Sequence, residues 1–129
     1  MRKKRRAERK QTRTFFAVYH QKTEKFMGRL IDLSTVGMKL LLENSVADQT
    51  AFEFKIELPK PIAGKDHLTF DAECVWCSMS GKSEKKYEAG FKITNIDFEQ
   101  IEAIQYLLND PLFEDTEEQP RITLMEKNS

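Results

Sequence analysis

Strict alternation of apolar and polar residues is the feature of this sequence that most constrains its fold. It is clearest from Ala51 to Leu58, where every second residue from Phe52 onward is apolar and the residues between are charged. Side chains of a β-strand point alternately to the two faces of a sheet, so this pattern predicts a strand with one buried face. Several such strands must bury those faces together, as a small barrel or sandwich does.

Similar runs recur along the chain, and we predict about six strands in all. They fall at residues 14–20, 25–33, 38–42, 51–58, 67–77 and 87–93. Pro59, Pro61 and Gly64 are expected to end the fourth strand. In the fifth strand, Phe70, Ala72, Cys74 and Trp76 are predicted to share one apolar face.

The period changes near residue 97, where a helix is predicted. Asp97 is expected to cap it, with Gln100 at the third helical position. Ile101, Ile104 and Leu108 follow at helical spacing, and the segment Asn109-Asp110-Pro111 stops the helix. The fold class is therefore mostly β, with one C-terminal helix that covers an end or flank of the sheet.

Charge is unevenly distributed, although the 21 basic and 21 acidic residues balance. Residues 1–13 hold eight basic residues against Glu8, a net charge of +7, whereas residues 110–129 have a net charge of −4. We interpret residues 1–13 as a flexible basic arm, 14–110 as the folded domain and 111–129 as an acidic, disordered tail. A basic arm is compatible with a solvated tail and also with a phosphate-binding segment.

Two arginines, Arg9 and Arg13, are separated by four positions just before the first strand. Arg5 and Arg9 have the same spacing, but Arg9 and Arg13 are preferred because Arg13 adjoins the strand. A guanidinium takes two phosphate oxygens through its planar fork and stacks on a base through its face. The pair is therefore a candidate clamp for an anionic nucleotide.

The segment Asp32-x-Ser34-x-x-Gly37 connects the second and third predicted strands. Asp and Ser side chains bond the backbone of turns, and glycine supplies either a positive φ or a close backbone approach. On local grounds the segment fits an ordinary turn as well as it fits a ligand site. Its position relative to the arginine pair favours the ligand site, since the two should converge.

The arginine pair and the Asp-x-Ser-x-x-Gly segment, in this order, resemble the PilZ domain family of bacterial cyclic di-GMP receptors. The resemblance covers most of residues 5–109. Ala72-Glu73-Cys74-Val75-Trp76 is similar to the family's strand that ends in tryptophan, and Tyr87-Glu88-Ala89-Gly90-Phe91 to the strand after it. The resemblance implies a six-stranded antiparallel β-barrel with a C-terminal α-helix and a flexible N-terminal arm that closes over the ligand.

The resemblance also implies roles for single residues. Arg9 and Arg13 would clamp the phosphates and stack on guanine, and Asp32 would accept hydrogen bonds from a guanine edge. Ser34 would bond the ligand or fix the turn. Gly37 would let the backbone approach.

Arg5 and Arg6 would be auxiliary, available for a second stacked nucleotide. The implied function is a cyclic di-GMP receptor, not an enzyme and without a further cofactor, which orders its arm on binding and signals to an unidentified protein effector. One alternative is a PilZ-like adaptor that binds protein and no nucleotide. The other is a small nucleic-acid-binding β-barrel, which acidic residues at outward positions disfavour.

Other chemistries find little support in the sequence. Cys74 and Cys77 lie within a strand-like run, so we expect reduced thiols and not a redox motif at a helix start. His20 and His67 are far apart and lack further metal ligands at suitable spacing. No apolar run is long enough to span a membrane and no secretory signal is present, so a cytoplasmic location is expected.

Overall fold

The computed structural model describes residues 9–81 and 85–115, which form eight strands and one helix. The strands are β1 (Lys10–Thr12), β2 (Ala17–His20), β3 (Phe26–Leu33), β4 (Gly37–Leu42), β5 (Ala51–Ile62), β6 (Lys65–Ser80), β7 (Lys86–Asn95) and β8 (Phe113–Asp115). The helix α1 spans Phe98–Leu108, between β7 and β8.

Six of the strands close into a barrel. Their hydrogen-bonded order is β2-β5-β6-β7-β4-β3, and β3 pairs with β2 to complete the ring. Every pairing is antiparallel. The predicted six-stranded antiparallel barrel with a C-terminal helix is therefore confirmed. Closure buries the alternating apolar side chains in one core, and those with no exposed surface include Val18, Leu30, Leu40, Phe54, Ile56 and Leu68.

The hairpin of β5 and β6 is longer than the sequence predicts. Regular pairing ends at Glu57, and it resumes only where Ile62 faces Lys65. Pro59 and Pro61 lie in the interrupted stretch, where a missing N–H removes no hydrogen bond of the ladder. The prediction that these prolines end the strand was wrong, because an irregular strand accommodates them.

A bulge in β6 reverses the orientation of its side chains. Cys74 faces Phe91 and Trp76 faces Gly90, so Val75 is an extra residue on β6. Cys74 stays in the core, where burial raises the pKa of its thiol, whereas the Trp76 side chain is 40% exposed. The predicted common face for Trp76 and Cys74 was wrong, because an inserted residue breaks strict alternation.

Helix α1 begins at the predicted cap and is attached to the barrel. The Asp97 carboxylate accepts a hydrogen bond from the Gln100 N–H at 3.2 Å, and the Gln100 side chain accepts one from the Thr69 N–H of β6 at 3.0 Å. The helix buries Ala103, Ile104, Leu107 and Leu108. Within the described residues, no helix has the length and apolar character needed to cross a membrane.

The two shortest strands extend the sheet outside the barrel ring. β1 pairs with β3, and β8 pairs with β1. Phe113 of β8 is 5% exposed, and its ring centroid lies 5.2 Å from that of Phe16. Residues 10–12 of the predicted arm and 113–115 of the predicted tail thus belong to the sheet, because the buried ring holds β8 beside β1. Residues 1–8 and 116–129 lie outside the described residues.

Candidate functional site

The strand β1 runs beside the end of β3 and brings the arginine motif to the aspartate motif. Gln11 faces Asp32 across this pair. The Thr12 hydroxyl donates to the Leu30 carbonyl at 3.1 Å and lies 3.3 Å from the carbonyl oxygen of Ile31. These contacts fix the register of β1, so the residue just before it reaches the β3 carboxylate.

That residue is Arg9, which forms an ion pair with Asp32. The Arg9 Nε lies 3.5 Å from the Asp32 Oδ1. The Asp32 side chain is only 6% exposed, whereas that of Arg9 is 55% exposed. A nearly buried carboxylate requires charged or polar partners, and Arg9 supplies one of them. The open surface of the guanidinium leaves it accessible to an anion from solvent.

Ser34 holds the turn that follows β3. Its hydroxyl oxygen accepts hydrogen bonds from the N–H groups of Val36 and Gly37, both at 3.1 Å, and donates to the Gly37 carbonyl at 3.3 Å. The Ser34 N–H donates to the same carbonyl at 2.9 Å. Of the two roles that the sequence suggested for Ser34, fixing the turn is the one for which the structure contains contacts.

Gly37 allows two strands to approach closely. A Cβ at this position would lie 2.8 Å from the carbonyl oxygen of Phe91 on β7, closer than real Cβ contacts. Its φ is not positive. Of the two reasons that a turn uses glycine, close backbone approach therefore applies here, and the approaching backbone is that of β7.

Arg13 contacts a different carboxylate from Arg9. Its Nε lies 3.7 Å from the Glu114 Oε1 on β8, and its backbone N–H donates to the Leu112 carbonyl at 2.8 Å. The two arginines of the motif thus flank β1, one paired toward β3 and the other toward β8. Arg5 and Arg6 lie outside the described residues.

The strand register extends this surface across the barrel wall. Asp32 faces Lys39 on β4, Lys39 faces Gly90 on β7, and Gly90 faces Trp76 on β6. Directly paired residues of an antiparallel sheet project to the same face, so Lys39 and Trp76 share the outer face with Asp32. A Cβ at Gly90 would overlap the Trp76 indole, so the glycine lets the ring lie against β7.

Sequence reasoning missed Lys39 and placed Trp76 on the wrong face. Two strand spacings, about 10 Å, separate these residues in the sheet. A signal was available in Gly90, since a glycine inside a strand often marks a bulge or a close approach. The outer face thus combines a cation and an aromatic ring with the Arg9–Asp32 pair.

Arg9 and Trp76 both have exposed surface on this face. Two depressions elsewhere have volumes of about 350 Å³ and 470 Å³. One is lined by Pro61 and His67 beside α1, and the other by His20 and Phe52 at the strand ends.

The described residues offer no group of three or more His, Cys, Asp or Glu side chains positioned to hold a metal ion. His67 instead contacts its neighbour, with 2.7 Å between its Nδ1 and the Asp66 Oδ1. This hydrogen bond lowers the pKa of the Asp66 carboxyl. The chemistry available at the outer face is thus that of cations, one buried carboxylate and an aromatic ring.

Comparison of the sequence with family models gives a match to the PilZ domain over residues 3–110. The chain belongs to the PilZ domain family. The match includes the arginine pair, the Ser34 turn and the barrel, and it confirms the resemblance. No curated protein matches the chain.

Several solved structures share the fold. The PilZ domain of YcgR from Escherichia coli, solved with c-di-GMP, is 21% identical with a TM-score of 0.59, over 81% of this chain and 88% of that one. The Bacillus subtilis inhibitor of motility MotI/DgrA is 18% identical with a TM-score of 0.60, over 84% of this chain and 53% of that one. The K. pneumonia MrkH–c-di-GMP complex is 15% identical with a TM-score of 0.62, over 82% and 51%. The chain therefore spans about half the length of MotI and MrkH.

Proposed function

We propose that this PilZ domain is a receptor for cyclic di-GMP, which binds on the outer barrel face between β1 and the Ser34 turn. The observation that carries the proposal is the 3.5 Å contact between Arg9 and Asp32, which joins the two sequence motifs at one place. Family membership supports the same ligand, as do the YcgR and MrkH structures, which were solved with c-di-GMP.

The chemistry of the ligand matches this surface. Cyclic di-GMP carries two phosphate charges and two purines, so a receptor must supply cations, stacking planes and an acceptor for guanine N–H groups. Arg9 and Arg13 are cations with planar faces, and Asp32 is a carboxylate acceptor. Lys39 adds a charge on the same face, and Trp76 adds an exposed ring.

The proposal includes a response to the ligand. Contacts from Arg5 and Arg6 to the ligand would order residues 1–8 over the outer face and cover the bound ligand. Ordering creates a new surface of arm and barrel, which a protein effector recognises. Hydrogen exchange at residues 1–13 is expected to slow when cyclic di-GMP is added.

Isothermal titration calorimetry tests the binding site. Arg13→Ala and Asp32→Asn are expected to weaken cyclic di-GMP binding by about 10- to 100-fold, since each removes a hydrogen bond to a charged group. Lys25→Ala and Glu57→Gln each remove one charge at exposed positions, in the β2–β3 loop and on β5, and should leave the dissociation constant unchanged. Unfolding curves verify that all four variants are folded.

The alternatives give different results in the same titration. A PilZ-like adaptor would release no heat with cyclic di-GMP while remaining folded, and this result would refute the proposal. A nucleic-acid-binding barrel would bind single-stranded RNA with steep salt dependence, without competition from cyclic di-GMP. Equal losses in the site variants and in the control variants would also count against the site.

A further inference from the structure

The strand β8 places carboxylates beside the arginine motif. Glu114 faces Gln11, and Asp115 faces Lys10 across the β1–β8 pair. The Glu114 Oε1 lies 3.7 Å from the Arg13 Nε, and the Asp115 Oδ1 lies 3.8 Å from the Lys10 Nζ. The acidic residues after the helix are thus paired with the basic residues before the barrel.

The register gives this pairing a definite geometry. Asp32 on β3 and Glu114 on β8 both face Gln11, from its two sides, so all three project to one face. Arg9 pairs with the first carboxylate and Arg13 with the second. Each arginine therefore has its own carboxylate, but only Asp32 belongs to the motif that the ligand site requires.

We infer that Glu114 is an internal competitor of the ligand phosphate for Arg13, so that β8 sets the affinity of the site. The inference rests on the proposed function. A carboxylate and a phosphate are both attracted to a guanidinium, and the Glu114 carboxylate beside Arg13 repels an approaching phosphate, so the two anions compete for the Arg13 charge. Without the Glu114 charge, none of the binding free energy of the ligand is spent on overcoming the attraction between Arg13 and Glu114.

Contacts of the neighbouring residues Phe113 and Leu112 hold Glu114 in position. Phe113 is buried against Phe16, and the Arg13 N–H donates to the Leu112 carbonyl at 2.8 Å. The Leu112 N–H donates in turn to the Asp110 carboxylate at 3.0 Å, a bond that lowers the pKa of that carboxyl. Glu114 therefore remains close to Arg13 without depending on the ion pair itself.

Exposure limits the size of the effect. The side chains of Arg13 and Glu114 are 56% and 48% exposed, so water screens their attraction. Ion pairs of this kind have small free energies, which correspond to an affinity change of about two- to fivefold. Such a change shifts the ligand concentration at which the protein responds without abolishing binding.

The test compares Glu114→Gln with the wild-type full chain by titration with cyclic di-GMP. Glu114→Gln is expected to bind about two- to fivefold more tightly, and the difference should shrink as salt is raised. Glu102→Gln, at an exposed position on α1, makes the same charge change away from Arg13 and should bind like wild type. Unchanged or weaker binding by Glu114→Gln, or an equal gain in Glu102→Gln, would overturn the inference.

A second readout separates this inference from the proposed function. The Arg13 Nε–H resonance is followed by NMR while inorganic pyrophosphate is added to the wild type and to Glu114→Gln. If cyclic di-GMP binds to neither protein, the proposed function fails, and the pyrophosphate titration alone decides about Glu114. A shift at lower pyrophosphate concentration in Glu114→Gln supports competition, and identical titrations refute it.

Discussion

The Ser34 hydroxyl makes three hydrogen bonds within four residues. It accepts from the N–H groups of Val36 and Gly37 and donates to the Gly37 carbonyl, and the residue is buried. The turn fixes the end of β3, and Asp32 is the next-to-last residue of that strand. The position of the Asp32 carboxylate therefore depends on the Ser34 side chain, which bonds the backbone of its own turn.

Ser34→Ala is expected to lower the free energy of unfolding by about 1–2 kcal/mol, because the buried Gly37 N–H and the partly buried Val36 N–H lose their acceptor. Urea denaturation measures this change. Thr35→Ala, in the same turn, is the matched control and should change stability by less than about 0.5 kcal/mol. Equal effects of the two substitutions would show that the Ser34 hydroxyl does not stabilise the turn.

The sequence identified Ser34 and Gly37 as turn residues, but it left open which of two structural roles each of them has. The sequence allowed Ser34 to bond a ligand or fix a turn, and Gly37 to supply positive φ or close approach. Both choices depend on the backbone conformation of the turn and on the strand packed against it. The Phe91 carbonyl that approaches Gly37 is far away in sequence, so no local pattern indicates it.

Among the elements, the β5–β6 hairpin places an alanine in the left-handed region of backbone conformation. Its two-residue turn consists of Ala63 and Gly64, with φ values of 52° and 79°. Turns with positive φ at both central positions match the twist of the flanking strands, and asparagine followed by glycine is the preferred sequence. Alanine is unfavourable at the first position because its Cβ crowds the following carbonyl.

Ala63→Asn is therefore expected to raise the free energy of unfolding by about 0.5–1 kcal/mol, since asparagine tolerates the left-handed conformation. Thermal denaturation followed by circular dichroism detects the gain as a higher Tm. Ala47→Asn introduces the same side chain at an exposed position without positive φ and should give no comparable gain. A Tm for Ala63→Asn at or below that of wild type would contradict the assignment of strain to Ala63.

Alternation predicted which segments are strands, because it reflects burial on one side of a barrel wall. It did not predict the bulge at Val75. One extra residue leaves the segment apolar and strand-like, and it changes only which face the residues after it point to. Trp76 was consequently predicted to share the apolar face of Cys74. The helix was predicted more completely, since its cap at Asp97 and its apolar spacing are both local features.

At the scale of the whole molecule, the six barrel strands and the outer strand β8 differ in how many hydrogen-bonded neighbours they have. Each barrel strand has a hydrogen-bonded neighbour on both sides, whereas β8 has β1 alone. Three-residue strands give too short a pattern to recognise from sequence, so Lys10–Thr12 and Phe113–Asp115 were assigned to the arm and the tail. The two ends of the described chain meet at the proposed ligand site, and long-range pairing of this kind is not encoded locally.

Native-state hydrogen exchange is expected to separate these two parts of the sheet. Amides of β4 and β7, which pair with each other and each with one further barrel strand, should exchange only through global unfolding. The opening free energy should then be on the order of 5–15 kcal/mol. The Arg13 amide, which donates to the Leu112 carbonyl, should exchange through local opening at a much lower free energy. The burial of Phe113 opposes that opening, so Phe113→Ala should accelerate exchange at Arg13, and at β4 by no more than the same factor, because it destabilises the native state relative to both the locally open and the unfolded state. Exchange at Arg13 as slow as in β4 would mean that β1 and β8 unfold only with the barrel, and Arg13 would then leave Glu114 by side-chain rotation without separation of the strands.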